Sequence, residues 1–210
     1  VASERKLRKF LRRWRRRYPF PFDWVDDRTN RSCRKSESEW LAQFAGATTL
    51  RRREVRAIVE WRFASQPDRM AKAFAAVETP ATWGHARRCI KKALADHNAT
   101  SALDRLLGER DGVPGWDPPV ASALLAACRP ERFVVADERS LRSLKALGLY
   151  PTPITSEFLR DDWWLYLSRC RQLARDVGMS LRAVEQALWA AADHAPELPK
   201  NPKRRRPDHS

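Results

Sequence analysis

Asp137 stands in "FVVADERSLR", between a short apolar run and a helix start, and a carboxylate so placed can do two kinds of chemistry. It can take a proton from an attacking water, and it can stabilise positive charge that develops beside it. It can also do no chemistry, because aspartate is a preferred N-cap for the helix that follows. The two roles are compatible, since a cap position presents its carboxylate at a helix end. Upstream lies "DGVPGWDPPVASALL", residues 111–125, a glycine turn that runs straight into a helix. A tight turn feeding a helix N-terminus lines up backbone N–H groups, and these bind a phosphate without reading the base attached to it. Gly112, Val113, Gly115, Trp116, Val120, Ala121 and Ser122 would form such a grip, with Arg139 and Arg142 beyond the aspartate adding charge. A turn between two core helices uses the same residue types, so a purely structural turn stays open on turn chemistry alone.

The elements that must position these residues read as helices throughout. Leu7, Phe10, Leu11 and Trp14 fall at helical spacing in "SERKLRKFLRRWRRR", and nearly every other position there is Arg or Lys. Pro19 and Pro21 break that helix, and the aromatics of "YPFPFDW" are expected to tuck against the main body or a partner. Residues 26–35 read as an exposed connection. Caps then mark successive helices: Ser36 with Glu39, Thr49, Pro67, Thr79 with Pro80, Thr100 or Ser101, Pro118 and Pro119, Asp137, Thr155 or Ser156, and Ser180. Only "FVVA" reads as extended. The expected fold is all-α. Its parts are a basic N-terminal helix and connection over residues 1–35, a helical domain over 36–193 with a hairpin at 101–127, and a disordered basic tail over 194–210.

Composition narrows the partner. The 210 residues are enough for one domain with a real core, and 41 Lys and Arg against 26 Asp and Glu leave a formal charge of +15. That excess is the footprint of a polyanion binder, with nucleic acid first. No apolar run reaches the roughly 18 residues needed to span a bilayer, and no signal-peptide pattern precedes the basic helix. A cytoplasmic, nucleoid-associated monomer without membrane contact is expected. Cys33, Cys89, Cys128 and Cys170 are dispersed with no CxxC pair, and the four histidines show no ligand spacing. No metal and no cofactor is assigned, and the thiols read as buried and free.

The pairing of "GVPGWDPPVASALL" with "PERFVVADERSLRSL" resembles the helix-hairpin-helix DNA glycosylases, the superfamily that includes endonuclease III and the adenine and alkylpurine glycosylases. The family's hairpin reads roughly Leu-x-Gly-Val-Gly-x-x-x-Ala, and its catalytic aspartate follows in a segment like Val-Asp-x-x-Val-x-Arg. Asp137 lies sixteen residues beyond Ala121, which is the family's spacing, and Arg142 takes the final motif position. The resemblance covers residues 100–147 strongly and the flanking helices only in general character. It implies a helix-hairpin-helix glycosylase fold, with Asp137 stabilising the sugar cation and activating water. Lyase-competent members carry a lysine two residues before the hairpin's alanine; here Pro119 stands there, which implies a monofunctional enzyme that leaves an abasic site. The turn departs from the pattern as well. Aligning Gly112 as first glycine needs three extra residues before Ala121, whereas aligning Gly115 puts Asp117 where the second glycine belongs. The family's iron-sulfur cysteines are absent.

Such an enzyme acts on double-stranded DNA that contains a modified base, and it must rotate that nucleotide out of the stack into a pocket. Trp61 and Phe63 in "EWRF" and Trp163 and Trp164 in "DDWWLYL" are the pocket candidates, although aromatics at helical spacing also serve as core. Trp116 is a candidate for the minor groove, and Trp189 reads as core. Arg51, Arg52 and Arg53 are candidate phosphate contacts, and the first helix and the tail are candidates for non-specific DNA attraction. Base-excision repair and defence against phage DNA with hypermodified bases both fit this function. The alternative is a non-catalytic helix-hairpin-helix DNA-binding protein, which needs the grip and the basic surface but not Asp137. An RNA-binding helical protein is a third, weaker reading.

Overall fold

The computed structural model describes residues 2–18, 22–26, 31–35, 37–64, 66–108, 111–150 and 160–197. Ten α-helices dominate them: α1 Ala2–Arg15, α2 Glu37–Ala42, α3 Arg52–Phe63, α4 Pro67–Ala75, α5 Pro80–Ala95, α6 Ala99–Asp104, α7 Pro118–Cys128, α8 Glu138–Ala146, α9 Arg160–Val177 and α10 Leu181–Ala191. A 3-10 turn follows at Ala192–Glu197. The all-α expectation holds, with one addition. Part of the stretch expected to be a plain connection forms a two-stranded antiparallel hairpin, β1 Phe22–Asp26 against β2 Arg31–Lys35, with Trp24 opposite Cys33. Of the segment 133–137, Asp137 has extended backbone (φ −136°, ψ 128°), and among the described residues the segment joins no sheet.

Two helices organise the core. Every residue of α7 from Pro119 to Cys128 is buried, and α2, α3, α5 and α6 pack around it. A helix apolar on all sides can only be an interior helix. The second centre is α10, against which α1, α8 and α9 pack. Leu11 and Trp14 of α1 are buried in the same apolar cluster as α7, so the basic helix is docked on the body through its one apolar stripe. Each such side chain contributes about 1.5–3 kcal/mol by leaving water. Arg5, Lys6, Arg8, Lys9, Arg12, Arg15 and Arg16 remain exposed on its outer side.

Most helix starts match the caps read from the sequence. Thr79 caps α5, Asp137 caps α8 and Ser180 caps α10, each accepting a backbone N–H of the first turn, and α7 opens with Pro118 and Pro119, capped by Asp117, which the sequence reading did not single out as a cap. Two starts shift. The N-cap of α3 is Arg51 rather than Thr49, closed by Glu54 reaching back to the Arg51 N–H at 2.7 Å. The cap of α6 is Asn98, which accepts from Ser101, so this helix begins earlier than Thr100. The expected Ser36 cap, the start of α9 near Thr155 or Ser156, and residues 198–210 of the expected tail lie outside the described residues; residues 194–197, expected to be disordered, instead belong to the 3-10 turn, where His194 stacks on Trp14.

Asp96 fastens the start of α6: its carboxylate accepts from the Ser101 hydroxyl, from Arg105 Nε and from the Asn98 N–H, at 2.7, 2.7 and 2.9 Å. The turn between α6 and α7 is closed by three backbone bonds, Gly108 N–H to Trp116, Val113 N–H to Leu106 and Trp116 N–H to Val113. Gly115 takes φ +79°, a left-handed conformation that glycine adopts without strain. At Gly112 a Cβ would lie 1.9 Å from the Leu107 carbonyl oxygen, so only glycine lets the returning chain pass.

Two predictions rest on these contacts. Gly112→Ala should cost about 3 kcal/mol, because a backbone atom blocks the new methyl, whereas Gly84→Ala, within α5 and in ordinary contact at 3.8 Å, should add about 0.5–1 kcal/mol; urea unfolding of both variants measures this. The hydrogen bonds from Ser101 and Arg105 hold the Asp96 carboxyl down to about 2. Its folded value lies below its unfolded value, so its contribution is complete above about pH 4 and is lost as pH falls towards 2. Asp96→Asn should therefore lower stability at neutral pH and flatten the dependence of unfolding midpoint on pH across that window.

Candidate functional site

Asp137 sits where the segment 133–137 meets α8, and side chains of α7 and α9 hold it there. The Ser122 hydroxyl of α7 accepts the Ala136 N–H at 2.7 Å, the Tyr166 hydroxyl of α9 donates to the Val135 carbonyl at 3.2 Å, and Arg171 donates to the Arg132 carbonyl at 2.6 Å. The carboxylate then divides its work. Oδ1 accepts the Arg139 N–H at 2.8 Å and the Ser140 N–H at 3.4 Å, and Oδ2 lies 3.0 Å from a terminal nitrogen of Arg62. Both partners of that ion pair are nearly covered, with side chains 13 % and 9 % exposed for Arg62 and Asp137. An ionised carboxylate offers about four lone-pair directions. Three are taken, and one on Oδ2 remains.

From Arg139 the side chains continue in a circuit of contacts that ends at the neighbour of Arg62. The Arg139 guanidinium lies 4.2 Å from the centre of the Trp189 ring, and Trp189 meets Tyr18 edge to face at 5.4 Å. The Tyr18 hydroxyl accepts from Arg182 at 3.4 Å, Arg182 lies 5.1 Å from the Trp61 ring, and Trp61 precedes Arg62 in the chain. Tyr18, Trp61 and Trp189 are each only partly buried. Arg182 is also paired with Glu37 and Glu185, and Gln186 donates to Glu37. Burial opposes the Arg182 charge, but Glu185 and Glu37 more than offset it and push its pKa above the ordinary value. Burial raises the Tyr18 phenol well above its usual range, with Arg182 opposing, so it remains a neutral hydroxyl. Three guanidiniums of the circuit have spare donors: the Nε atoms of Arg62, Arg139 and Arg182 are buried without a hydrogen-bond partner.

The hairpin differs from its expected chemistry, and several assignments are corrected. Trp116 does not project; it is 3 % exposed and its Nε1 donates to the Ala73 carbonyl at 3.1 Å. Val113, Val120, Ala121 and Ser122 are buried in the core, and Gly112 is covered, its carbonyl lying 2.7 Å from His85 Nε2. The N-terminus of α7 offers no free N–H in its first turn. Pro118 and Pro119 have none, Val120 donates to the Asp117 carboxylate at 3.1 Å, and Ala121 donates to the Asp117 carbonyl. Asp117 itself pairs with Arg69 at 2.6 Å, so the anion that this helix end attracts is the protein's own. Gly115 is the exposed member of the proposed grip.

The aromatic assignments divide. Phe63 and Trp163 are fully buried core residues, a correction to their place in a pocket. Trp164 is half-exposed, and Arg171 lies 5.8 Å from its ring centre; it has no contact with the Asp137 circuit among the described residues. Trp61 belongs to the circuit, and Trp189, read as core, joins it. Arg51 and Arg53 are exposed and Arg52 donates to the Glu78 carbonyl. They start α3, whereas Arg62 ends it, roughly 15 Å away along the axis at 1.5 Å per residue. Arg142 is exposed on α8, and Arg139 pairs with Asp193. Sequence reasoning passed over Arg62, Tyr18 and Arg182. Arg62 lay inside the quoted "EWRF" between two named aromatics, and Tyr18 was foreseen only as one of several aromatics tucking inward.

Other chemistries find little footing. Cys89, Cys128 and Cys170 are free and buried, as expected, and burial raises all three thiols, Cys128 to about 12, which leaves them protonated and unreactive. Among the described residues no group of three or more His, Cys, Asp or Glu could hold a metal ion, and no helix is long and apolar enough to cross a membrane.

Ser122 provides the test of how Asp137 is placed. Ser122→Ala should leave the buried Ala136 N–H without an acceptor and cost about 1–3 kcal/mol, read by thermal and urea unfolding; an unchanged midpoint would show that α7 does not anchor the segment. No family model, no curated protein and no solved structure matches this chain.

Proposed function

We propose that this chain is a monofunctional DNA glycosylase of helix-hairpin-helix type, which hydrolyses the N-glycosidic bond of a modified base in double-stranded DNA and leaves an abasic site. The observation that carries the proposal is the Asp137 carboxylate, held at the N-terminus of α8 and paired with Arg62, with the partly exposed aromatics Tyr18, Trp61 and Trp189 reached through the neighbouring arginines Arg139 and Arg182. The order α6, glycine turn, α7, connecting segment, aspartate, α8 supports it, as does the net charge of +15.

In this reaction the bond between the sugar carbon and the base nitrogen breaks with its electron pair leaving on the base, and positive charge develops on the sugar. Asp137 stabilises that charge and accepts the proton of the water that attacks the same carbon. The remaining lone pair of Oδ2 is the one available to that water. The α8 N–H groups fix the carboxylate's orientation without competing for it. Tyr18, Trp61 and Trp189 offer ring faces and edges for a base taken out of the stack. Pro119, in the position of the lyase lysine, supplies no amine, so the product strand stays intact. Removal of damaged bases and removal of hypermodified phage bases are both consistent with this chemistry.

One observation favours a second reading, a non-catalytic DNA-binding protein. Both oxygens of Asp137 already have protein partners, as a purely structural cap and ion pair would have. With the N-terminus of α7 closed, DNA contacts in either reading fall to side chains rather than to the hairpin's backbone.

A panel of duplex oligonucleotides, each with one lesion or one phage-type modification, followed by alkaline cleavage, separates the two readings. The enzyme should release at least one base, and Asp137→Asn should slow that release by about 100-fold or more while duplex affinity holds or rises. No release from any member, or release that Asp137→Asn does not change, overturns the catalytic assignment.

A further inference from the structure

We propose that Arg62 is a DNA phosphate-binding residue which Asp137 masks in the free protein; the inference rests on duplex DNA being the ligand of the proposed function, though not on catalysis. A guanidinium carries five N–H donors in a planar fork suited to two parallel bonds with a phosphate. Arg62 uses this fork poorly. Among the described residues its ionic partner is a single oxygen of Asp137 and its buried Nε has no acceptor, and its charge otherwise rests 5.0 Å from the centre of the neighbouring Phe63 ring. Arg69 occupies the same ring at 5.0 Å and is itself held by Asp117, so the hairpin's own cap charge lies next to this site. A buried polar atom without a partner, on a residue of opposite charge to DNA, is spare capacity for an incoming anion.

The ion pair also conflicts with the chemistry beside it. A guanidinium at 3.0 Å from Oδ2 opposes any positive charge that Asp137 would have to stabilise. Simply separating the pair at this degree of burial would strand two charges. Exchanging partners does not: a backbone phosphate takes the guanidinium, and the carboxylate turns to the nucleotide. The exchange makes entry of the DNA strand the event that uncovers Asp137. Arg139 and Arg182, whose Nε atoms are likewise unpaired, stand on the other sides of the same aromatic circuit.

A double-mutant cycle in equilibrium binding tests this. The probe is a fluorescent duplex carrying one tetrahydrofuran abasic-site analogue, titrated by anisotropy at several salt concentrations with the parent, Asp137→Asn, Arg62→Gln and the double variant. Asp137→Asn frees Arg62 and should tighten binding about tenfold in the parent, but by less than twofold when Arg62 is Gln. Arg62→Gln should also reduce the slope of log affinity against log salt by about 0.9, the loss of one phosphate contact. Should Arg62→Gln fail to fold with Asp137 left unpaired, Asp137→Asn compared with the double variant, which buries neither charge, reads the same slope change. Equal tightening by Asp137→Asn in both backgrounds, or an unchanged slope, overturns the inference and reduces Asp137 to simple repulsion of phosphate. The predicted coupling without release of any base would sink the glycosylase reading and leave Arg62 as assigned. A duplex that binds none of the four proteins sinks both.

Discussion

A carboxylate that is nine-tenths covered must be compensated from within the protein, and much of the surrounding architecture answers that demand at Asp137. The α8 N-terminus supplies two N–H donors and the favourable end of its dipole, and Arg62 supplies a full charge. For those groups to meet, the C-terminal turn of α3, the N-terminus of α8 and the segment before it must be held in register. Ser122 on α7, Tyr166 on α9 and Arg171 do this by taking the backbone groups of a segment that belongs to neither helix nor sheet. The site is therefore built where the packing around α7 meets the packing around α10, and it borrows residues from both.

The hairpin shows how similar sequence features can serve different physics. A glycine turn before a helix is a phosphate grip only if the helix's first N–H groups are unspoken for. Asp-Pro-Pro at 117–119 removes two of them chemically and turns a third back onto its own cap. The glycines are then explained by sterics: Gly112 clears the Leu107 carbonyl, and Gly115 turns the chain at positive φ. His85 and Cys89 of α5 close over the turn through the Gly112 and Asp111 carbonyls, which further commits it to the interior.

The helices were legible because their signals are local. A cap, a proline at the first position and an apolar stripe at 3.6-residue spacing act within one turn, so α5, α7, α8 and α10 begin where Thr79, Pro118, Asp137 and Ser180 place them. The β1–β2 hairpin escaped notice because strands of five residues, FDWVD and RSCRK, carry little alternation. Asp137 was legible by its position after the hairpin. Its partner was not, since the pairing of Arg62 with Asp137 spans 75 positions in the chain and depends on how α3 ends against α8. The aromatic residues failed for the same reason. Phe63 and Trp61 are two positions apart on one helix, yet one faces the core and the other the circuit, a difference set by which neighbours α3 meets and not by residue type.

The distribution of charge bears on what the site can recognise. The exposed residues of α1 provide a strong but undirected attraction for a polyanion, because long flexible side chains in water interact over a distance set by screening. Around Asp137 the guanidiniums are of another kind. They are largely covered, fixed by Trp61, Trp189 and the buried carboxylates Glu37 and Glu185, and they retain unsatisfied donors. Charge held in that way gains little from bulk polyanion and much from one anion that enters in the right orientation. Docking α1 through Leu11 and Trp14 brings Tyr18, just past its C-terminal end, into that circuit, so the basic face of α1 and the side chains around Arg182 belong to one packing arrangement.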